Sequence, residues 1–247
     1  MGKLGINELR QNKNEIMLGY KEGQSTHKLA KKYNTFPAQI NKLLRENKIS
    51  LRPANIKNDI ELSGEFGEIL DGWLLGDGHI ASVGIQAYFS LASKYEEYIK
   101  YAIKLFERNG IACKQYCAVQ FDKTYYRMHS KSTLQLGELH RRWYIKKKKI
   151  VPKDIELAPD LIKHWIMDDG TYDRNKGHLR LCTNGFKPEE CDMLAVMLNK
   201  FLGVTDIHTI EKKVNTTRIY LSRNSTLVLY KRVGALPVVC FNYKMPQ

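Results

Sequence analysis

Residues 64–247 carry one pattern written twice, and this duplication constrains the fold more than any other feature of the chain. Leu70-Asp-Gly-Trp-Leu-Leu-Gly-Asp-Gly78 pairs with Ile162-Lys-His-Trp-Ile-Met-Asp-Asp-Gly170. Lys94-Tyr-Glu-Glu97 pairs with Lys187-Pro-Glu-Glu190, and Asn109-Gly-Ile111 with Leu202-Gly-Val204. Arg127-Met-His-Ser-Lys-Ser132 is set against Ile219-Tyr-Leu-Ser-Arg-Asn224, and Lys149-Ile-Val-Pro152 against Lys244-Met-Pro246. Each landmark returns after roughly 92 to 95 residues in the same order. Chance supplies one such pair; five in register imply two copies of one structural unit.

The unit has a readable plan. A helix ends in Asp-Gly. A strand pair follows, in which Ile85, Ala87 and Phe89 alternate with Gln86, Tyr88 and Ser90. A long helix comes next, over Glu96 to Asn109 or Glu189 to Phe201, with Ile99, Ala102, Ile103 and Phe106 spaced to face a sheet. Two more strands, a short helix and the Lys-x-Pro element complete it. The expected class is α+β: two pseudo-symmetric αββαββα repeats with antiparallel sheets backed by helices. The later strands put Arg127, His129 and Lys131 on one face beside Tyr125, opposite Tyr126, Met128 and Ser130. In the second copy His178 and Arg180 oppose Leu179 and Leu181, and Arg218 and Tyr220 oppose Ile219 and Leu221. A basic, aromatic sheet face of this kind can lie in a DNA groove. A solvated outer face shows the same alternation.

Charge favours a polyanionic partner. The chain has 247 residues and a formal net charge of +14, and residues 1–60 hold twelve Lys/Arg against five Asp/Glu. A phosphate backbone is the partner this surplus suggests. No apolar run reaches the length of a membrane span, no basic amphipathic anchor stands out and no signal peptide is readable, so an intracellular protein without membrane contact is expected. The five cysteines are odd in number and contain no Cys-x-x-Cys pair, which argues against a disulfide framework or a zinc site.

The first sixty residues read as three short helices. One spans about Asn7 to Tyr20. A second runs from the N-cap Ser25 to Tyr33. A third is capped by Thr35, with Pro37 in its first turn and Ile40, Leu43 and Leu44 as its buried stripe. Gln39, Lys42 and Arg45 are left on its outer side. The segment Tyr20–Tyr33 resembles the helix-turn-helix of resolvases and transposases, which implies DNA contact by those three residues. A basic packing module is the plainer reading. The expected division is 1–50 for this module, 51–63 for a linker, and 64–155 and 156–247 for the two repeats.

Residues 64–247, through their paired acidic motifs, resemble the LAGLIDADG homing endonucleases in the form that carries both motifs on one chain. Leu70, Gly72, Leu74, Gly76, Asp77 and Gly78 carry the first match. Trp165, Ile166, Asp169 and Gly170 carry a looser second. The resemblance implies that the motif helices pack side by side at a pseudo-two-fold axis, with Asp77 and Asp169 together below DNA. Gly72 and Gly76, spaced i, i+4, give the first helix a flat face for close approach. His164 and Asp168 break that pattern in the second. An acid at a helix C-terminus is unfavourable against the dipole, which argues for more than a capping role.

Two adjacent carboxylates repel unless a cation lies between them. Mg²⁺ is the expected cofactor, with Mn²⁺ or Ca²⁺ able to substitute for binding. Asp77 and Asp169 are the expected ligands, and the Gly76 carbonyl and Asp168 further candidates. Lys149 and Lys244 occupy the family's basic position near the scissile phosphate. His79 and Asp173, just past the motifs, are further candidates for the water network. Gln86, Tyr88, Arg127, His129, Lys131, His178, Arg180, Arg218, Tyr220 and Arg223 are the expected DNA contacts of the repeats. The expected activity is double-strand cleavage of a long, non-palindromic DNA by a monomer. Two other readings stay open: an RNA maturase acting on a host intron, and a non-catalytic DNA-binding regulator.

Overall fold

Leu70, Trp73 and Leu74 on the first motif helix, and Ile162, Trp165 and Ile166 on the second, recur at helical spacing, and such faces are buried inside a structure. The computed structural model describes residues 3–51, 61–120, 123–211 and 217–246. In it α5 (Gly64–Leu75) and α8 (Pro159–Asp169) lie against one another inside one hydrophobic core drawn from both copies. Trp73 and Trp165 are fully buried in it, with Leu70, Leu74, Ile162 and Ile166. The glycines set how close the helices come. A Cβ on Gly72 would stand 2.3 Å from the Leu161 carbonyl oxygen, and one on Gly76 would stand 2.4 Å from the Asp168 Cβ. The asymmetry noted at His164 and Asp168 is therefore complementary: the larger side chains of α8 fill the space that the glycines of α5 leave.

The two copies repeat one topology. The first sheet holds β1 (His79–Val83), β2 (Gln86–Ser93), β3 (Cys113–Gln120) and β4 (Lys123–Ser130), in the order β1-β2-β4-β3. The second holds β7 (Gly170–Asp173), β8 (His178–Cys182), β9 (His208–Glu211) and β10 (Thr217–Leu221), in the order β7-β8-β10-β9. The pairings are antiparallel throughout. Helices α6 (Glu96–Arg108) and α7 (Leu134–Trp143) pack on the first sheet, and α9 (Pro188–Leu202) and α10 (Arg223–Val233) on the second. The α+β class is as expected, and each sheet turns one face to these helices and leaves the other open.

The details differ from expectation in five places. Helix α5 stops at Leu75 and Asp77 follows it in a turn, whereas α8 runs through Asp169. Ile85 lies in the β1–β2 turn and is exposed, so the inward row of β2 is Ala87, Phe89 and Leu91. Strand register shifts one landmark by a residue. Ser90 pairs with His129 and Arg180 with Tyr220, so His129 matches Tyr220, and Arg127 matches Arg218 rather than Ile219. The face rule requires this, because Met128 and Ile219 both point into the core. Lys131 lies beyond the end of β4, and Arg223 opens α10 instead of standing on the sheet.

The Lys-x-Pro elements are built differently in the two copies. In the first, β5 (Tyr144–Ile145) and β6 (Lys148–Lys149) form a hairpin whose turn residues Lys146 and Lys147 have φ of 48° and 67°. In the second, a 3-10 helix over Val239–Lys244 takes its place. Each tail crosses to the other copy. The Val151 amide donates to Glu190 of α9 at 3.1 Å, and the Cys240 amide donates to Glu97 at the start of α6 at 2.8 Å.

The chain divides into two compact units, Met1–Ile56 and Lys57–Gln247, with both copies inside the second. In the first unit the expected leading helix is split at Asn12 into α1 (Ile6–Gln11) and α2 (Lys13–Lys21). Ser25 caps α3 (Thr26–Lys32), its hydroxyl accepting from the Lys28 amide. Thr35 is not the cap of α4 (Pro37–Glu46). Its hydroxyl donates to the Leu4 carbonyl at 2.7 Å, and Phe36 is the N-cap with Pro37 behind it. Ile40, Leu43 and Leu44 are buried, Gln39 is partly exposed, and Lys42 and Arg45 are exposed. The expected linker falls mostly on residues 52–60, which lie outside the described residues.

Candidate active site

The ends of α5 and α8 bring four expected residues together. Asp77 is exposed just beyond α5, and Asp169 is half-buried as the last residue of α8. The Lys149 ammonium donates to the carbonyls of Gly76 and Gly78 at 2.9 and 3.1 Å. Lys244 is buried and donates to the carbonyls of Ile166, Met167 and Asp168 at 3.1, 2.6 and 3.1 Å. Each lysine thus places a cation at the negative end of its own copy's motif helix. Lys149 is set apart from the exposed run Lys146–Lys148 by this inward contact.

The charges are closely coupled. Burial, together with the charge of Asp77, pushes the Asp169 carboxyl up to about 7, while Lys149 and Lys244 oppose that rise. Burial lowers both lysines, and Asp77, Asp168 and Asp169 pull them back up. Asp168 is also raised well above the usual carboxylate range, first by burial and then by Asp77. Its two oxygens have protein donors: Tyr98 OH at 2.7 Å and the Asp77 amide at 3.0 Å. The Gly76 carbonyl accepts from Lys149. A cavity of about 420 Å³ opens beside Asp77, with Lys94, Tyr95, Tyr125, Tyr243 and Lys244 in its wall.

Of the two further candidates, His79 lies on β1 with its ring against Tyr144, and burial and Lys149 lower its pKa. Asp173 sits at the β7–β8 turn, accepting from the amides of Asn175 and Lys176.

The open faces of the sheets carry matching ring clusters. In the first sheet the His129 ring lies 5.3 Å from Tyr88 and 5.0 Å from Tyr116. In the second, Tyr220 takes the place of His129, 5.0 Å from His178 and 5.3 Å from His208. Gln86 and Arg127 share the first face, and Arg180 and Arg218 the second. His178 is only 7% exposed, covered by Tyr220 and paired at 3.7 Å with Asp173. It lies lower in that face than the sequence suggests. The Arg180 and Arg218 Nε atoms are buried without a hydrogen-bond partner, and neither guanidinium is in an ion pair among the described residues.

A family model described as the LAGLIDADG DNA endonuclease family matches residues 67–229, about two thirds of the chain. The chain belongs to this family. Individual proteins are similar as well. The chain is 27% identical over 217 residues to the cytochrome b mRNA maturase bI2 of Debaryomyces hansenii, covering 80% of each. Its fold resembles that of the homing endonuclease I-WcaI, solved bound to its DNA recognition sequence. There the TM-score is 0.67 at 23% identity, over 81% of this chain and 97% of that one.

Sequence reasoning missed two groups that hold the LAGLIDADG helices in place. Asp71, buried on α5, takes Arg142 Nη1 at 2.7 and 2.9 Å and Trp143 Nε1 at 2.8 Å. Burial raises its pKa, and the Arg142 and Trp143 bonds oppose the rise. Tyr98, buried on α6, joins Trp73 to Asp168. An acid inside an apolar motif helix, followed by an Arg-Trp pair two helices later, was the available signal for the first group. Nothing in the local pattern marks Tyr98.

Proposed function

We propose that the chain is a divalent-metal-dependent endonuclease that hydrolyses both strands of a long, non-palindromic duplex DNA, each copy supplying one carboxylate. The carrying observation is the meeting of Asp77 and Asp169 at the ends of helices packed at glycine distance, with Asp169 pushed up to about 7. Burial and the neighbouring anion make that carboxylate costly to ionise, and a cation bound by Asp77 and Asp169 would relieve the cost. Among the described residues no cluster of three His, Cys, Asp or Glu forms a closed metal cage. Two acids fit a hard cation such as Mg²⁺, which shares its remaining positions with phosphate oxygens and water. Asp77 and Asp169 would hold it, with the Gly76 carbonyl and Asp168, each also accepting from protein donors, as further candidate ligands. When bound, the ion supplies Lewis acidity toward the phosphodiester and a more acidic water.

The chain's own groups orient and neutralise. Lys149 spends two of its three N–H donors on carbonyls, which leaves one for a phosphate oxygen. Lys244 spends three, so it acts through its charge. The open faces of the two sheets, with Arg127 on one and Arg180 and Arg218 on the other, supply donors for base edges and phosphates. Helix α4, with Gln39, Lys42 and Arg45, adds contacts in the manner of a helix-turn-helix. The DNA-bound I-WcaI structure supports duplex DNA as the partner.

Selection of bound duplexes from a random library in Ca²⁺, followed by transfer to Mg²⁺, tests the reading. Cleavage of both strands of the selected duplex is expected; binding with no cut in Mg²⁺ or Mn²⁺ defeats it. The maturase relative supports a second reading, RNA binding for intron splicing. Tight binding of structured intron RNA, with no selectable duplex, is the result that favours it.

A further inference from the structure

The two catalytic carboxylates are held by different means. The Asp169 amide belongs to α8, which runs through that residue. Asp77 lies past the end of α5, after Gly76 with φ −101° and ψ −134°. Its amide is bonded across the helix pair, to Asp168 Oδ2 at 3.0 Å. Asp168 is itself held: Tyr98 OH donates to Oδ1 at 2.7 Å, and Trp73 Nε1 donates to Tyr98 OH at 2.7 Å. Trp73 and Tyr98 are both buried, so the chain of bonds starts from a fixed point in the core.

Among the described residues the other copy has no equivalent. The position matching Asp168 is Gly76, and a side chain there would collide with Asp168. The position matching Tyr98 is Cys191, whose thiol donates to the Thr183 carbonyl at 3.7 Å. Resting on the endonuclease reading above, we propose that Asp168, held by Tyr98, is a positioning residue for Asp77 alone, so that its loss slows the cut of one strand and spares the other. Small errors in placing a reacting group cost large factors in rate.

The test is single-turnover cleavage of a duplex with its two strands separately labelled. Asp77→Asn identifies the strand that depends most on Asp77. In Asp168→Asn and in Tyr98→Phe that same strand slows about tenfold or more, the other stays within about twofold, and nicked duplex accumulates. Tyr98→Phe keeps the ring against Phe241, 4.8 Å away, and Asp168→Asn keeps Tyr98, so one variant checks the other for a folding defect. Equal slowing of both strands, or no slowing, overturns the proposal and leaves the endonuclease reading intact. An uncut duplex with the unaltered chain overturns both.

Discussion

Gly72→Ala sets two physical effects against each other. In an isolated helix the change is favourable by roughly 0.5–1 kcal/mol, because glycine loses more backbone freedom on folding. In this protein the new methyl would meet the Leu161 carbonyl oxygen at 2.3 Å, its carbon at 2.9 Å and the His164 Cβ at 3.0 Å. Two of these three atoms are helix backbone and cannot swing away. An ordinary carbon–oxygen contact is about 3.3 Å or more, so α8 must retreat by about 1 Å. A gap of that size forfeits a quarter to a half of the dispersion energy of the contacts it opens. Overpacking of this kind costs about 1–3 kcal/mol, which outweighs the backbone gain. At the centres of the two ranges the net loss is about 1.2 kcal/mol, which lowers the midpoint by about 2–5 °C for a unit of this size. Trp73, Trp143 and Trp165 are the three tryptophans and all lie in the Lys57–Gln247 unit, so thermal unfolding followed by their fluorescence reports that unit. A Gly72→Ala protein as stable as the unaltered chain, or more stable, would falsify the close packing of α5 and α8.

Three other perturbations probe the buried histidine, the Asp71 pairing and the sheet arginines. His164 is buried and held near 4, chiefly by burial, with Nδ1 2.6 Å from the Asp160 carbonyl and Nε2 2.9 Å from Tyr101 OH. A lowered folded value means its contribution is complete above about 6.5 and fades as pH falls toward 4, by up to roughly 3 kcal/mol. Comparing urea stability of His164→Gln with the unaltered chain from pH 7 to pH 4 should show the variant losing less, and parallel curves would contradict the burial argument. Arg142→Ala strands the buried Asp71 carboxylate with Trp143 alone and should cost about 3 kcal/mol in the same fluorescence assay; a cost under about 1 kcal/mol refutes the pairing. Arg180→Ala and Arg218→Ala should each weaken binding to the selected duplex by about 1–3 kcal/mol and relax preference at one base pair of one half-site. A uniform loss across all sequences would reduce them to phosphate contacts.

How much was legible depended on whether the signal was local or spatial. The duplication was readable because Asp77-Gly78 and Asp169-Gly170 head matching series of landmarks, and the doubled sheet order follows from it. Period-2 alternation gave the inward row through Phe89, Met128 and Ile219, yet similarity of letters misaligned Arg127 by one residue, an error that only the strand register exposes. The glycine face of α5 was readable from Gly72 and Gly76, but that His164 and Asp168 fill it was not, since complementarity needs both helices in place. Lys146 and Lys147 hid a hairpin because lysine is a poor marker of positive φ. Asp168 and Tyr98 lie 70 residues apart in sequence, and no spacing rule joins them.

Single-turnover cleavage of the selected duplex by the unaltered chain, Asp77→Asn and Asp169→Asn decides whether the two acids cut DNA. Mg²⁺-dependent cutting of both strands by the unaltered chain is expected. For each variant a loss of about a hundredfold or more in at least one strand is expected, with binding in Ca²⁺ retained. Undiminished cutting by either variant, or cutting that persists in a chelator, contradicts that role for Asp77 and Asp169.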